Sequence, residues 1–269
     1  MAGSFLDTTI VVDVVDGQEP RKKLAEAHIA SHPPAEVSYY ALRELLSGHL
    51  QYLCQTHNVL LASGNAAEAM LALLNRSPAE GRKREARLRA LASEMDRVFA
   101  TNPAGQRQTT KREVLEALAL RAAKIWRNAH RIGTAKLTQH LGCFNDGNIT
   151  FGASGELKGP RDSFNCVKSE RCAAAAYLYD NKADIQKMID ALHPLELGSQ
   201  AGKNENQQRR KALKELLSKG PTVFDKRRCR ALGDAYFAAM SPPGFSVVTT
   251  NISDFLPLCR ALAKVAVSP

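Results

Sequence analysis

Short apolar strand patterns lie at both ends of this 269-residue chain, and they constrain its fold more than any other feature. Apolar, β-branched runs over Phe5–Val15, Glu36–Tyr40 and Phe245–Thr250 predict strands, the first of which runs into a turn or short helix. Helical patterns follow or separate these strands, over Pro20–Ser31, Ala41–Cys54, Ala66–Leu74, Arg227–Met240 and Asp254–Lys264. Because strands alternate with helices, the sequence predicts an α/β fold with a parallel sheet flanked by helices. Both ends of the chain are expected to build that one sheet.

The middle of the chain has a different pattern, which is mostly helical and basic. We expect residues 1–75 and 222–269 to form the two parts of one core, and residues 76–221 to form a helical insertion between them. Within the insertion, the segment Gly142–Gly159 is rich in Gly, Asn and Asp, which indicates a loop or small hairpin. The polar segment Ser199–Asn206 predicts an exposed linker.

Positive charge is concentrated in this insertion. The whole chain has 37 Lys and Arg against 27 Asp and Glu, a formal net charge of +10. Between Arg76 and Lys136 there are 15 basic and 6 acidic residues, so this stretch holds nearly all of the excess. Solvated helix faces would account for any single residue, but a block of like charge favours a polyanionic partner, with nucleic acid as the first candidate.

Several classes of protein are excluded by the composition. The chain has no run of about 18 apolar residues, so no membrane span is expected. Its first residues lack the basic region of a secretory signal, and Asp7 and Asp13 interrupt the apolar stretch. We therefore expect a cytoplasmic protein with reduced cysteines.

Four acidic residues stand where a parallel sheet could bring them together. Asp7 ends the first strand pattern, Asp254 follows the last strand, and Glu44 and Asp234 lie in helices rich in apolar residues. Sites in open parallel sheets form beyond the carboxyl ends of the strands. Converging carboxylates are oxygen ligands suited to Mg²⁺ or Mn²⁺, which can activate water for phosphodiester hydrolysis. Alternatively, Asp7 and Asp254 are helix N-caps and Glu44 belongs to a surface ion pair.

Four short segments resemble the motifs of the PIN-domain nuclease family, and in particular its VapC-like toxin ribonucleases. In chain order they are FLDTTIVVDVV at Phe5–Val15, EVSYYALRELLSG at Glu36–Gly48, GDAYFAAM at Gly233–Met240 and FSVVTTNISDF at Phe245–Phe255. The resemblance implies a PIN-like three-layer fold, interrupted here by the insertion. It covers less than half of the chain, and the insertion makes this chain much longer than such toxins.

The resemblance also implies an activity and a set of residues. Family members are Mg²⁺- or Mn²⁺-dependent nucleases that mostly cleave RNA. By this match, Asp7, Glu44, Asp234 and Asp254 would be the catalytic metal ligands, with Asp254 acting through water, while Asp13 lies outside this set. Thr8, Thr250 and Asn251 would orient the attacking water or a substrate phosphate. Thr9 and Asn251 depart from residues common in the family, but neither change removes an acid.

A second metal site is suggested by the cysteines of the insertion. His140, Cys143, Cys166 and Cys172 have spacings near those of a structural zinc site, although the second pair is wider than usual. The alternative interpretation is that Cys166 and Cys172 are small buried residues that bind no metal. Cys54, Cys229 and Cys259 lie in apolar helical contexts, which predicts a place in the core.

The leading hypothesis is a metal-dependent endoribonuclease whose basic insertion binds RNA or selects the substrate. In-line attack by an activated water would leave a 5′-phosphate. A non-catalytic PIN-like module that binds RNA or a protein is the alternative, and a toxin held by an antitoxin is a third interpretation. The residues do not distinguish RNA from DNA, and a homodimer is compatible with the sequence.

Overall fold

A parallel sheet is built from both ends of the chain. The computed structural model describes residues 3–75, 81–101, 110–135, 137–138, 149–159, 173–193, 200–221 and 226–269. The strands are β1 (Gly3–Leu6), β2 (Ala35–Ser38), β3 (Leu137–Thr138), β4 (Thr150–Phe151), β5 (Leu157–Lys158), β6 (Phe245–Val248) and β7 (Val265–Val267). Five of them form the sheet in the order β3-β2-β1-β6-β7, and each neighbouring pair is parallel.

Helices account for most of the remaining described residues. They are α1 (Thr8–Asp16), α2 (Glu19–Ser31), α3 (Tyr39–Glu44), α4 (Gln51–Ala62), α5 (Ala66–Leu74), α6 (Gly81–Thr101), α7 (Lys111–Ala135), α8 (Ala173–Asp180), α9 (Lys182–Leu192), α10 (Gln200–Lys219), α11 (Lys226–Ala231), α12 (Gly233–Met240) and α13 (Ile252–Ala261). A π-helical segment, Leu45–Leu50, joins α3 to α4. Within the described part of the chain, no helix is long and apolar enough to cross a membrane.

The chain divides into two compact units. Unit 1 comprises residues 1–43, 132–145 and 164–269, and unit 2 comprises residues 44–131 and 146–163. Unit 1 thus contains the sheet, both ends of the chain and the part of the predicted insertion that forms α8 to α10. Unit 2 contains residues from the first predicted core segment together with α6 and most of α7.

The central strand of unit 1 is buried along its whole length. All four residues of β1 are buried, and Leu6 pairs with Val37 on one side and with Val248 on the other. Strands buried on both faces carry continuous apolar runs rather than an alternating pattern. The predicted α/β class with a parallel sheet flanked by helices is confirmed at this level.

Aromatic side chains fix α12 over the centre of the sheet. The ring of Phe237 lies 4.6 Å from that of Phe5 on β1 and 5.6 Å from that of Phe255 on α13. Tyr236 contacts Tyr40 edge to face at 5.5 Å. Such pairs contribute about 0.5–1.5 kcal/mol beyond the burial of their area. The helix that carries Asp234 is therefore tightly held.

Unit 2 has its own helical core and a small hairpin. The helix α4 packs against α5 and α6, and the carboxylate of Glu94, which is fully buried, pairs with Arg121 at 2.6 Å and with Arg97 at 3.3 Å. Asn58 on α4 binds both the backbone N–H and the carbonyl of Leu157, which secures the β4–β5 hairpin. This hairpin lies within the predicted turn-rich segment.

One predicted element was wrong and two strands were missed. The segment Ser199–Asn206, interpreted as a linker, is helical from Gln200 onward as the first part of α10. Its Gln, Lys and Glu residues are good helix formers, so polarity alone was a poor indicator of a loop. The strands β3 and β7 have only two and three residues, too few to produce a clear pattern.

Candidate functional site

Asp7 occupies the carboxyl end of the central strand β1. Its backbone N–H donates to the carbonyl of Val248 at 3.0 Å, and its side chain caps the N-terminus of α1. Its Oδ2 accepts hydrogen bonds from the hydroxyls of Thr9 at 2.9 Å and Thr249 at 2.8 Å. Burial raises the pKa of the Asp7 carboxyl, although the bonds from Thr249 and Thr9 act in the opposite direction. Asp7 is thus the N-cap of α1, as one interpretation of the sequence predicted, and it is also the proposed site residue.

The segment after β6 completes this end of the sheet. Thr249 is fully buried, and its hydroxyl also accepts the backbone N–H of Asn251 at 2.9 Å. The backbone N–H of Thr250 donates to the Thr9 hydroxyl at 3.1 Å. The side-chain amide of Asn251 donates to Oδ2 of Asp254. These contacts join the loops that follow β1 and β6 into one polar network.

Asp234 lies in the first turn of α12 and keeps 32% of its side chain exposed. Arg209, from α10, donates a hydrogen bond to Oδ2 of Asp234 and forms an ion pair with the same oxygen. The residue before Asp234 is Gly233, and the packing leaves no room for a side chain there, because a Cβ would collide with the hydroxyl of Tyr40. Because of this close contact, the helix start that presents Asp234 is fixed in unit 1.

Two other acids of unit 1 contribute to the electrostatics of Asp234. Burial raises the pKa of the Asp234 carboxyl to about 6, the charge of Arg209 lowers it, and the charges of Asp7 and Asp254 raise it further. A like charge disfavours the ionised form of a carboxyl, and its effect grows as the distance shortens. We call Asp7, Asp234 and Asp254 the carboxylate cluster. It joins the first residues of the chain to the last 40.

Glu44 is the fourth predicted ligand. It is the last residue of α3 and the first residue of unit 2, and its side chain is half-buried. The π-helical segment begins immediately after it, a feature that is frequent at functional sites. The role of Glu44 as a metal ligand remains a prediction.

The residue types of the carboxylate cluster match a hard divalent cation, because carboxylate oxygens are the ligands that Mg²⁺ and Mn²⁺ prefer. Their arrangement does not: among the described residues, no group of three or more His, Cys, Asp or Glu side chains could hold a metal ion. Asp234 is instead paired with Arg209.

Three predicted substrate-binding residues have different surroundings. Thr250 and Asn251 are exposed beside the cluster, whereas the backbone N–H of Thr8 binds Asp7. Sequence reasoning missed Thr249 and Arg209. The first adjoins Thr250 in the same motif, and only the pleat of β6 decides which of the two threonines faces Asp7. No sequence signal distinguished Arg209 from the other basic residues of α10.

The basic residues of unit 2 divide into paired and exposed groups. Several make ion pairs inside the unit, namely Arg97 and Arg121 with Glu94, Arg89 with Glu85, and Arg112 with Glu116. Lys124 and Arg127 lie one turn apart on the exposed face of α7. Of these ion pairs, the one between Arg121 of α7 and Glu94 of α6 joins two helices, and the other three each lie within one helix.

The predicted zinc residues His140, Cys143, Cys166 and Cys172 all lie outside the described residues. Cys54, Cys229 and Cys259 are buried, as predicted. Burial raises the pKa of the Cys54 thiol to about 12 and that of Cys259 to about 11, so these two thiols are inert at neutral pH.

Comparison with known proteins gives no match: no protein-family model fits the sequence, and no curated protein or solved structure is significantly similar to it.

Proposed function

We propose that this protein is a Mg²⁺- or Mn²⁺-dependent endoribonuclease with a PIN-like core. The observation that carries the proposal is the carboxylate cluster: Asp7 follows the carboxyl end of β1, Asp254 lies in the first turn of α13 after β6, and the charges of both raise the pKa of Asp234 on α12. Such repulsion is costly unless a cation compensates it. The motif resemblance described above supports the same chemistry independently of the geometry.

Each residue of the site has a proposed task. Asp7, Asp234 and Asp254 would hold the ion, which when bound supplies an activated water and stabilises charge on the phosphate. Thr9 and Thr249 keep the Asp7 carboxylate in one orientation. Asn251 orients Asp254, and the exposed Thr250 is available to a substrate phosphate.

Nucleic acid is the proposed substrate class because of the charge of the chain. A net charge of +10 attracts a polyanion, and exposed Lys and Arg side chains bind its phosphates. Lys124 and Arg127 are the proposed phosphate contacts of α7. RNA rather than DNA is proposed because members of the resembled family mostly cleave RNA.

Cleavage of labelled RNA with and without Mn²⁺ tests this proposal. We expect the wild-type protein to cleave only with the ion, and Asp7→Asn and Asp234→Asn to lose at least a hundredfold in rate. Asp190→Asn is the matched control, because Asp190 is an exposed residue of α9 whose side chain accepts a hydrogen bond from Gln186. Equal cleavage by the wild type and both cluster variants would contradict the proposal.

A second function is favoured by one observation. The Arg209–Asp234 ion pair neutralises part of the cluster without a metal, as expected of a non-catalytic PIN-like module that binds RNA. Such a module would bind labelled RNA equally with Mn²⁺ or with a chelator, and would release it intact. Metal-dependent cleavage in the experiment above would exclude this alternative.

A further inference from the structure

An exposed aromatic ring lies on the β4–β5 hairpin of unit 2. Phe151 is 64% exposed, and no other Phe, Tyr or Trp whose side chain the structure describes is classed as exposed. Phe151 pairs with Leu157 across the hairpin, and Leu157 is buried. Residues paired in an antiparallel ladder lie on the same face of it. The hairpin therefore packs on its unit through Leu157 and leaves the ring of Phe151 in solvent.

The hairpin that carries this ring is held to α4 by its backbone. Asn58 accepts the N–H of Leu157 at 2.7 Å and donates to the carbonyl of the same residue at 3.0 Å. The ring of His57, which is buried, meets the ring of Phe151 edge to face, with 6.4 Å between the ring centroids. A ring that is already fixed loses little conformational freedom when a partner binds it.

The charge of unit 2 indicates what kind of partner this ring would meet. The sequence of the unit has 16 basic and 11 acidic residues, a net charge of +5, which attracts a polyanion. At the hairpin itself, the side chains of Lys158 and Glu156 both lie against Gly152, the residue after Phe151. A polyanion at the ring would therefore be attracted by Lys158 and repelled by Glu156.

We propose that Phe151 is a stacking platform for an unpaired base of single-stranded nucleic acid. Nucleic acid is the polyanion that also carries flat aromatic groups, and a base stacks on an exposed ring whatever its sequence. The bases of a duplex are stacked on one another, so the ring selects unpaired bases. This inference goes beyond the proposed function, because it concerns a surface of unit 2 and binding that needs no metal.

The competing interpretation is an apolar contact between Phe151 and another protein or a second copy of this chain. Leucine satisfies an apolar contact nearly as well as phenylalanine, but it has no aromatic face on which a base can stack. Phe151→Leu therefore separates the two interpretations, and Phe151→Trp keeps the aromatic face. Because the side chain is exposed, both variants are expected to fold.

Fluorescence anisotropy of a labelled single-stranded oligonucleotide, titrated with the full chain in the presence of a chelator, measures this binding without cleavage. We expect Phe151→Leu to raise the Kd about fivefold or more, and Phe151→Trp to leave it unchanged or lower. Leu71→Ala is the matched control, because Leu71 is an exposed apolar residue of the same unit, and its Kd should equal that of the wild type. A wild-type Kd for Phe151→Leu, or no binding by the wild type, would overturn the inference.

The same titration with a duplex of the same sequence tests the selection of unpaired bases. We expect the wild type to bind the single strand more tightly, and Phe151→Leu to bind the duplex as the wild type does. An equal loss of affinity for both forms would overturn the inference. RNA and DNA strands of one sequence form two further arms, and the tighter of the two identifies the nucleic acid that the ring receives.

Charge variants at the hairpin test whether the strand passes there. Lys158→Met should weaken binding and reduce the slope of log Kd against log salt concentration by about 0.7, the value for one phosphate of a single strand. Glu156→Gln should tighten binding. If neither variant changes the Kd, the strand lies away from the hairpin and the inference is overturned.

Failure of this inference and failure of the proposed function give different results. If the wild type binds the single strand through Phe151 but does not cleave it with Mn²⁺, the proposed nuclease fails and the stacking platform stands. If Mn²⁺-dependent cleavage is seen but Phe151→Leu binds as the wild type does, the nuclease stands and the stacking platform is excluded.

Discussion

Thr249 is the residue on which the geometry of the site most depends. It is fully buried, donates its hydroxyl proton to Asp7, and accepts the backbone N–H of Asn251. One side chain thus connects a carboxylate from the start of the chain to Asn251, the N-cap of the helix α13 that carries Asp254. Neutral hydrogen bonds of this kind orient Asp7 without cancelling the charge that the proposed metal site needs.

Replacing Thr249 by Val, which has nearly the same shape, should destabilise the protein by about 1–3 kcal/mol. The substitution leaves one hydrogen bond of the buried Asp7 carboxylate and the N–H of Asn251 without a partner. Thr250→Val is the matched control, because Thr250 is exposed and its change should stay within about 0.5 kcal/mol. Urea unfolding measures both values, and equal stability of the two variants would contradict this role of Thr249.

At this scale the sequence indicated candidate acids but not the residues that contact them. Asp7, Asp234 and Asp254 could be chosen as candidates because an acid beside an apolar pattern is costly to bury. Thr249 could not be separated from Thr250, since the choice depends on the pleat and twist of β6. Arg209 could not be separated from its basic neighbours, since the face of a helix that becomes buried depends on what packs against it.

Among the elements, α12 is the one whose placement matters most for the site. Its first turn carries Asp234, and its last turn is held by Lys264, which precedes β7. The ammonium group of Lys264 donates to the carbonyls of Ala238 at 2.9 Å and of Ala239 and Ser241 at 2.7 Å. Positive charge is favourable at a helix C-terminus, where carbonyls lack partners within the helix.

Lys264→Met should therefore destabilise the protein by about 2–4 kcal/mol, because three carbonyls lose a charged donor at once. The change is expected to appear as a lower urea midpoint with an unchanged slope. Lys214→Met, at an exposed position of α10, serves as the control and should have little effect. Equal midpoints for the two variants would show that Lys264 does not stabilise α12.

Helices with a clear apolar stripe were predictable as elements, and short strands were not. The pattern over Ala66–Leu74 corresponds closely to α5, whose Ala69 and Leu73 are buried. The helix α2 covers nearly the range predicted for it, although its Leu24 is exposed and its buried residue is Ala25. The run Phe5–Val15, predicted as a strand that continues into a turn or short helix, contains the end of β1 at Leu6 and most of α1, with Asp7 as the helix cap between them. The start of α10 was missed because its residues are polar, and β7 because three residues carry too little pattern.

For the whole molecule, the important fact is that β1 and β6 are neighbours although more than 200 residues separate them. This pairing brings the loops after the two strands together and places Asp7 against Thr249. The sequence predicted that both ends share one sheet. It did not predict that α8 to α10 belong to the same compact unit, because a basic helical segment resembles an independent insertion.

A crystal structure of the protein soaked with Mn²⁺ tests the central claim most directly, because the anomalous signal of manganese locates the ion without assumptions. The account predicts one strong peak at ligand distances of about 2 Å from carboxylate oxygens of Asp7 and Asp234, with Asp254 beside it or bound through water. A protein that binds Mn²⁺ only elsewhere, or shows no peak among these three carboxylates, would contradict the account.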